Sequence, residues 1–150
     1  MLKEILGEEE YCDMMRIHLQ DMIDYLLSRG INFSILLNVE NVKFDPPLPD
    51  EIVNTFKPMT MFIIAGYTFE STILESDKLV FEAGFGPNNF GSFVSVPLLS
   101  ILQIIVEETP IFINLSITSK EQEMKQKEVG VKKSMEALLS NPENKKLFKK

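Results

Sequence analysis

The chain has 150 residues, of which 45% are hydrophobic and 25% are charged, and its formal net charge is −7. This length and composition suit one domain with a real core. The charge is unevenly distributed: residues 1–117 hold 6 Lys or Arg against 17 Asp or Glu, whereas residues 118–150 hold 9 Lys against 5 Glu. An acidic body repels phosphate backbones, which argues against a nucleic-acid partner.

The cysteine content, the N-terminus and the lengths of the apolar stretches bear on where the protein is located. Cys12 is the single cysteine, so no intrachain disulfide is possible, and this fits a reducing compartment. The N-terminus is acidic and lacks a basic segment followed by an apolar run, which predicts no signal peptide. No apolar stretch approaches the ~20 residues that a membrane span needs. We therefore expect a cytoplasmic protein with no membrane partner.

The first predicted element is an amphipathic helix over residues 9–29. Its apolar residues recur at spacings of three and four, as in Met15, Leu19, Met22 and Leu26. The period then changes to two over residues 31–39, which predicts a half-buried strand.

The remaining predicted elements follow in chain order: a short helix over 50–56 capped by Asp50, a central strand over 59–69, a hairpin of 71–75 with 78–85, a strand over 93–96, a helix from Pro97 to Glu108, and a last strand over 111–117. This order predicts an α+β fold in which the N-terminal helix packs on a strongly bent antiparallel sheet.

After Ile117 the composition shifts sharply. Residues 118–150 contain 14 charged residues and one aromatic residue, Phe148. Such a segment predicts a solvated, flexible tail. The predicted organisation is thus a folded body over 1–117 and a charged tail over 118–150.

Catalytic constellations are missing from the sequence. His18 is the only histidine, and with Cys12 it cannot supply a metal site. A nucleophile system would need His18 to be well placed on a packing helix, so we expect a partly buried structural histidine instead. Gly84-Phe85-Gly86 with Gly91 lacks the following helix that a phosphate loop requires. We therefore predict no enzyme, no metal and no cofactor. The sheet is rich in Phe, Ile and Met, which fill cores more often than they line binding grooves. A bent sheet with an apolar groove can still take an extended peptide along its face or edge.

Three segments in order resemble the SspB (stringent starvation protein B) family, the adaptors of the ClpXP protease. They are Leu79–Gly86, Phe93–Leu98 and Ile101–Ile104, and Pro49–Ile52 with Met61–Ile64 matches the family's middle. The family has a strand ending in Phe-Gly, a short loop, a strand ending in Val-x-Val-Pro and an apolar helix. The resemblance covers roughly residues 9–117. Here the loop from Pro87 to Ser92 is about two residues longer, and Pro87 stands where a second glycine is usual.

The resemblance implies an α+β body with an Sm-like half-barrel roll that forms a homodimer. Each subunit would hold, in a groove, the C-terminal degradation tag that is added to polypeptides when ribosomes stall. The tail of such adaptors ends in a short apolar and basic motif that docks on the ClpX unfoldase. The matching residues here are Leu147, Phe148, Lys149 and Lys150.

The expected groove residues are Met61, Ala65, Ala83, Gly84, Phe85 and Gly86. Small residues allow a peptide backbone to approach closely, whereas Phe and Met offer apolar contacts. The alternative is that the strand face carrying Ala83 and Phe85 belongs wholly to the core. The expected dimer interface is Tyr11, Met14, Met15 and Ile17, and a core role for these residues is the alternative. The runner-up function is an acidic secretion-type chaperone that binds an extended apolar client segment and needs no basic C-terminal motif.

Overall fold

The computed structural model describes residues 1–116. The helices are α1 (Leu2–Gly7), α2 (Glu9–Ser28), α3 (Asp50–Val53) and α4 (Gly66–Ser71), with 3-10 turns at Val39–Asn41 and Leu98–Ser100. The strands are β1 (Phe33–Asn38), β2 (Lys43–Asp45), β3 (Met59–Ile64), β4 (Ile73–Glu75), β5 (Lys78–Phe85), β6 (Phe90–Pro97), β7 (Ile101–Val106) and β8 (Thr109–Ile113).

The eight strands form two antiparallel sheets of four strands each. The first sheet has the order β3-β1-β7-β8, and the second has the order β2-β6-β5-β4. The α+β class with an N-terminal helix is therefore confirmed. The expectation of one bent sheet is replaced by two sheets, and the chain passes from β6 to β7 through the turn at Leu98–Ser100.

The core is one cluster that draws on α2 and both sheets. Strand β1 alternates buried and half-buried residues, as the period of two predicts. α2 contributes Leu19, Ile23 and Leu26, which lie on one side of the helix. The second sheet contributes Phe81 and Val94 to the same cluster, and both are fully buried.

Both sheets belong to one compact unit, Asp13–Leu115, whereas Met1–Cys12 falls in another unit. In the latter, the Cys12 thiol lies 3.7 Å from the Leu6 carbonyl oxygen and donates a weak hydrogen bond to it.

The predicted helix from Pro97 to Glu108 is wrong. Residues Ile101–Val106 form β7, and Glu107-Glu108 form the turn that leads into β8. Both turn residues have a positive φ, 49° and 70°, as a tight two-residue hairpin turn requires. The apolar run is short and rich in branched side chains, so strand pairing with β1 prevails over helix formation.

The predicted central strand over 59–69 is also corrected. β3 ends at Ile64, and residues 66–71 form α4 after Gly66 turns the chain with a φ of +58°. β3 lies at the edge of the first sheet, because within residues 1–116 it pairs with β1 alone. A strand that is apolar except for Thr60 therefore occupies a position where half of its side chains face outward.

Smaller differences concern the ends of elements. α3 begins at Asp50 with Pro49 as its N-cap, so the expected Asp50 cap is absent. β6 is longer than its predicted span of 93–96, and the short strand β2 was not predicted. β8 ends at Ile113, and Ile117 lies outside the described residues.

The edges of the two sheets are unequal. The edge strands of the second sheet have three residues each and carry the charged residues Lys43, Asp45 and Glu75. The edge strands of the first sheet, β3 and β8, have six and five residues and carry no charge. Short strands, charges and a proline such as Pro110 of β8 discourage pairing with a further strand. Among the edge strands of residues 1–116, β3 is therefore the one best suited to accept a further strand.

Asn114 is a buried polar side chain that fixes the chain after β8. It is 2% exposed, and its Nδ2 donates to the carbonyl oxygens of Ile101 at 2.9 Å and Leu99 at 3.3 Å. Asn114→Ala removes this donor from two carbonyls, so we expect a loss of about 1–3 kcal/mol in the free energy of unfolding. Urea denaturation measures it. The exposed Asn88→Ala is the control and should change stability by less than about 0.5 kcal/mol; equal effects would contradict the role of Asn114.

A candidate peptide groove between β3 and β5

A groove of about 260 Å³ lies where the edge of β3 faces β5. These strands belong to different sheets and do not pair with each other. The groove is therefore a gap between two strand edges. Its side chains are apolar except for Thr68, and backbone groups contribute polar surface between them. The lining residues are Met61, Phe62, Ile63, Thr68, Phe81, Ala83, Gly84 and Phe85.

The β3 side offers exposed apolar side chains. Met61 is 52% exposed and Ile63 is 66% exposed, because the alternation of the strand turns them away from the core. Every second backbone N–H and C=O of an edge strand also points away from its only partner. This side of the groove thus combines apolar contacts with backbone groups that no second strand within residues 1–116 covers.

The β5 side is open over its last residues. β4 pairs with β5 only over residues 78–80, whereas β6 pairs with β5 over its whole length. Beyond β4, the Ser71 hydroxyl accepts a hydrogen bond from the Glu82 N–H at 2.9 Å. The same hydroxyl donates to the Glu82 carbonyl oxygen at 3.4 Å. By the alternation of a strand, the N–H and C=O of Gly84 point to the same open side.

An aromatic cluster forms the floor of the groove. The Phe62 ring centroid lies 5.8 Å from that of Phe85 and 6.1 Å from that of Phe81, with the rings steeply inclined. Phe44 and Phe56 complete the cluster, at 6.4 and 6.0 Å from Phe62. Inclined ring pairs at these separations are favourable. The floor is therefore held by packing on several sides and is preformed for a ligand.

A polar pair lies beside the groove on α4 and β5. The Tyr67 hydroxyl donates to the Glu82 Oε1 at 3.3 Å, and both side chains reach solvent. The negative charge of Glu82, and its role as hydrogen-bond acceptor, raise the pKa of Tyr67 above its ordinary value of 10.0. Tyr67 therefore stays protonated near neutral pH and serves as a hydrogen-bond donor.

Four of the six groove residues expected from sequence lie together here: Met61, Ala83, Gly84 and Phe85. Ala83 and Phe85 are half-buried and also pack against the core, so their strand face is shared between core and groove. The structure does not place Ala65 or Gly86 in the lining.

The glycines have roles that differ from the one expected. A Cβ on Gly84 would overlap the Asn89 Oδ1, so the space beside Gly84 is occupied by Asn89 and is not open to a ligand. Gly86 has a φ of +73° and begins the β5–β6 turn, where its carbonyl accepts from the Asn89 N–H at 3.1 Å. Ala65 is the N-cap of α4, just beyond the end of β3.

Phe62, Ile63, Thr68 and Phe81 were not expected in the lining. The unbroken apolar run of β3 was a usable signal for Ile63, because an outward apolar residue on an edge strand lacks a core role. Thr68 was missed because Ala65-Gly66 was not recognised as the end of the strand.

The residues expected at a dimer interface all lie on α2. Met14 and Ile17 are exposed, whereas Tyr11 and Met15 are half-buried. The expected docking residues Leu147–Lys150 lie outside the described residues. His18 is exposed, and its ring centroid lies 6.5 Å from that of Phe112.

Within residues 1–116, no group of three His, Cys, Asp or Glu side chains is arranged to hold a metal ion. No helix in that part of the chain has the length and apolar character needed to cross a membrane. Neither a comparison with models of known protein families nor a search of curated proteins finds a match to this chain.

Proposed function

We propose that this protein is an SspB-like proteolysis adaptor, which binds the C-terminal degradation tag of stalled-ribosome products and tethers them to the ClpX unfoldase. The observation that carries the proposal is the groove between β3 and β5. It contains four residues that the resemblance assigns to tag binding, and they lie on strands that are far apart in sequence.

The groove suits an extended peptide better than a compact small molecule. An extended chain can add to the free edge of β3 through backbone hydrogen bonds, while alternate side chains enter the apolar gap. The Gly84 backbone offers a second row of groups across the gap. Such binding makes and breaks no covalent bond, in accord with an adaptor.

The proposal includes a homodimer formed through α2. This helix buries Leu19, Ile23 and Leu26 on one side, yet it exposes Met14, Ile17 and Tyr25 on the other. A helix with apolar residues on two sides serves both its own core and a second surface. We also propose that the two sheets correspond to the Sm-like half-barrel roll of the family.

The C-terminal segment supplies the tether in this proposal. A flexible coil of about 30 residues reaches roughly 30 Å. Two weak sites joined by such a linker raise the effective concentration of cargo at the unfoldase. Leu147 and Phe148 among lysines suit an apolar pocket with an acidic surround.

The test is binding of a fluorescein-labelled tag peptide, followed by anisotropy, to the wild type and to Ala83→Gln. Ala83 is small and half-buried at the groove wall, so a glutamine side chain would occupy much of the gap. We expect at least about a tenfold loss of affinity, equivalent to roughly 1.4 kcal/mol.

Ser95→Gln is the matched control, because Ser95 is half-buried on β6 of the same sheet but is absent from the groove lining. It should bind the peptide as the wild type does, and both variants should melt within a few degrees of it. Wild-type protein that binds no tag peptide would overturn the proposed function. Full affinity in Ala83→Gln would remove the groove assignment.

A further inference from the structure

A second groove adjoins the first on the outer face of the first sheet. Its volume is about 410 Å³, and it runs from β3 across β1 to β7. Ile63 lines both grooves. The two grooves therefore meet at the Ile63 side chain.

The strand register explains the depression. Ile63 pairs with Ser34, and Ser34 pairs with Ile105, so the three residues form one row across the sheet. Ser34 is the smallest side chain of the row and lies between two isoleucines. The groove floor is therefore deepest at Ser34, and it is apolar on both sides of Ser34, at Ile63 and Ile105.

The far end of this groove is acidic. Glu107 and Glu108 of the β7–β8 turn line it, and both are exposed. The ion pairs of residues 1–116 join Arg16 to Asp13 and Lys78 to Glu75, so neither turn carboxylate has a basic partner there. The lining contains no Lys or Arg.

We infer that the second groove binds the cargo residues immediately preceding the tag, and that it prefers cargo with a lysine or arginine there. The inference rests on the proposed function, because a tag held in the first groove continues at its N-terminus into the cargo chain. Charge complementarity selects a cation for the end of a groove whose two carboxylates have no basic partner among residues 1–116.

The spacing follows from strand geometry. Neighbouring strands lie about 4.8 Å apart, so β3 and β7 are separated by about 10 Å. An extended peptide advances about 3.3 Å per residue. The basic residue is therefore expected about three residues before the residue that contacts Ile63.

The experiment uses the full-length protein and fluorescein-labelled tag peptides that carry six additional residues before the tag. One series has lysine at each of the six positions in turn within alanine, a second has glutamate, and the all-alanine peptide is the reference. We expect a single lysine register to bind roughly two- to fivefold more tightly than alanine, since exposed ion pairs are weak. Glutamate should not gain there, and 0.5 M salt should reduce the lysine gain.

Glu107→Gln/Glu108→Gln should abolish the lysine gain while the all-alanine peptide keeps its affinity. Glu40→Gln, at an exposed carboxylate outside both linings, is the control and should keep the gain. Ser34→Phe fills the floor and should also abolish the gain, which tests the groove independently of its charge.

Tag binding without a lysine gain at any register would overturn this inference and leave the proposed function intact. A lysine gain that persists in both Glu107→Gln/Glu108→Gln and Ser34→Phe would place the cation elsewhere and overturn it too. If no peptide of either series binds, the proposed function fails, and this inference fails with it.

Discussion

Replacing Phe62 with alanine is expected to lower the free energy of unfolding by about 3–5 kcal/mol, as measured by urea denaturation. Phe62 is 8% exposed and packs against four other aromatic rings. The substitution removes those contacts and leaves a cavity between the two sheets that the rigid neighbouring rings cannot fill. Since Phe62 also lines the groove, peptide binding should weaken even where the variant remains folded.

Phe93→Ala is the matched control for this prediction. Phe93 is likewise in a strand, β6, but it is 54% exposed. It should lose only the modest strand preference of an aromatic residue, about 1 kcal/mol or less. Similar losses of unfolding free energy in Phe62→Ala and Phe93→Ala would contradict the expected contribution of the aromatic cluster to stability.

Deleting Lys145–Lys150 is expected to abolish delivery of tagged cargo to ClpX while leaving tag-peptide affinity unchanged. The segment lies outside the described residues, and the groove lies within Asp13–Leu115. Without the tail motif the adaptor still holds cargo, but the increase in effective concentration at the unfoldase is lost. The measurement is the rate of degradation of a tagged fluorescent protein by ClpXP at limiting cargo, with adaptor present.

Two double substitutions in the tail distinguish the effect of the docking motif on delivery from the effect of shortening the chain. Leu147→Ser/Phe148→Ser should reproduce the deletion, because it removes the apolar pair and keeps all the lysines. Leu138→Ser/Leu139→Ser removes an apolar pair elsewhere in the tail and should deliver cargo normally. Equal delivery by the wild type and the deletion variant would remove the docking role.

Elements whose signal is local were predicted well from the sequence. The apolar spacing of α2 and the alternation of β1 both appear in the structure with ends shifted by two residues or fewer. The hairpin of β4 and β5 turns at Ser76-Asp77 as expected. In these segments the apolar periodicity and the turn-forming residues favour the same secondary structure. Tertiary contacts therefore do not change it.

Elements that depend on non-local pairing were not predicted. Leu98–Val106 is apolar except for Ser100 and Gln103, and its pattern fits a buried helix and a buried strand equally. Only pairing with β1 on one side and β8 on the other decides for the strand. Glu107-Glu108 argues against the helix, because two carboxylates are unfavourable at a helix C-terminus and are tolerated in an exposed turn.

The candidate site shows the same division. Ala83, Gly84 and Phe85 are neighbours in sequence, so their grouping is local. Met61 joins them only because β3 lies at an edge, which its apolar composition had argued against. Gly84 illustrates a further limit: a small residue in sequence does not reveal whether a ligand or another side chain, here Asn89, takes the space beside it.

The uncharged edge of β3 has a consequence for how the protein behaves at high concentration. A peptide would pair with the outward backbone groups of β3 beside Met61 and Ile63. The β3 strand of another copy could pair with the same groups, and such pairing would start aggregation. Residues 1–117 carry 11 more acidic than basic residues, so two bodies repel each other before their edges meet. Colloidal stability in this chain therefore comes from long-range repulsion, and salt that screens the repulsion removes the safeguard without altering the fold.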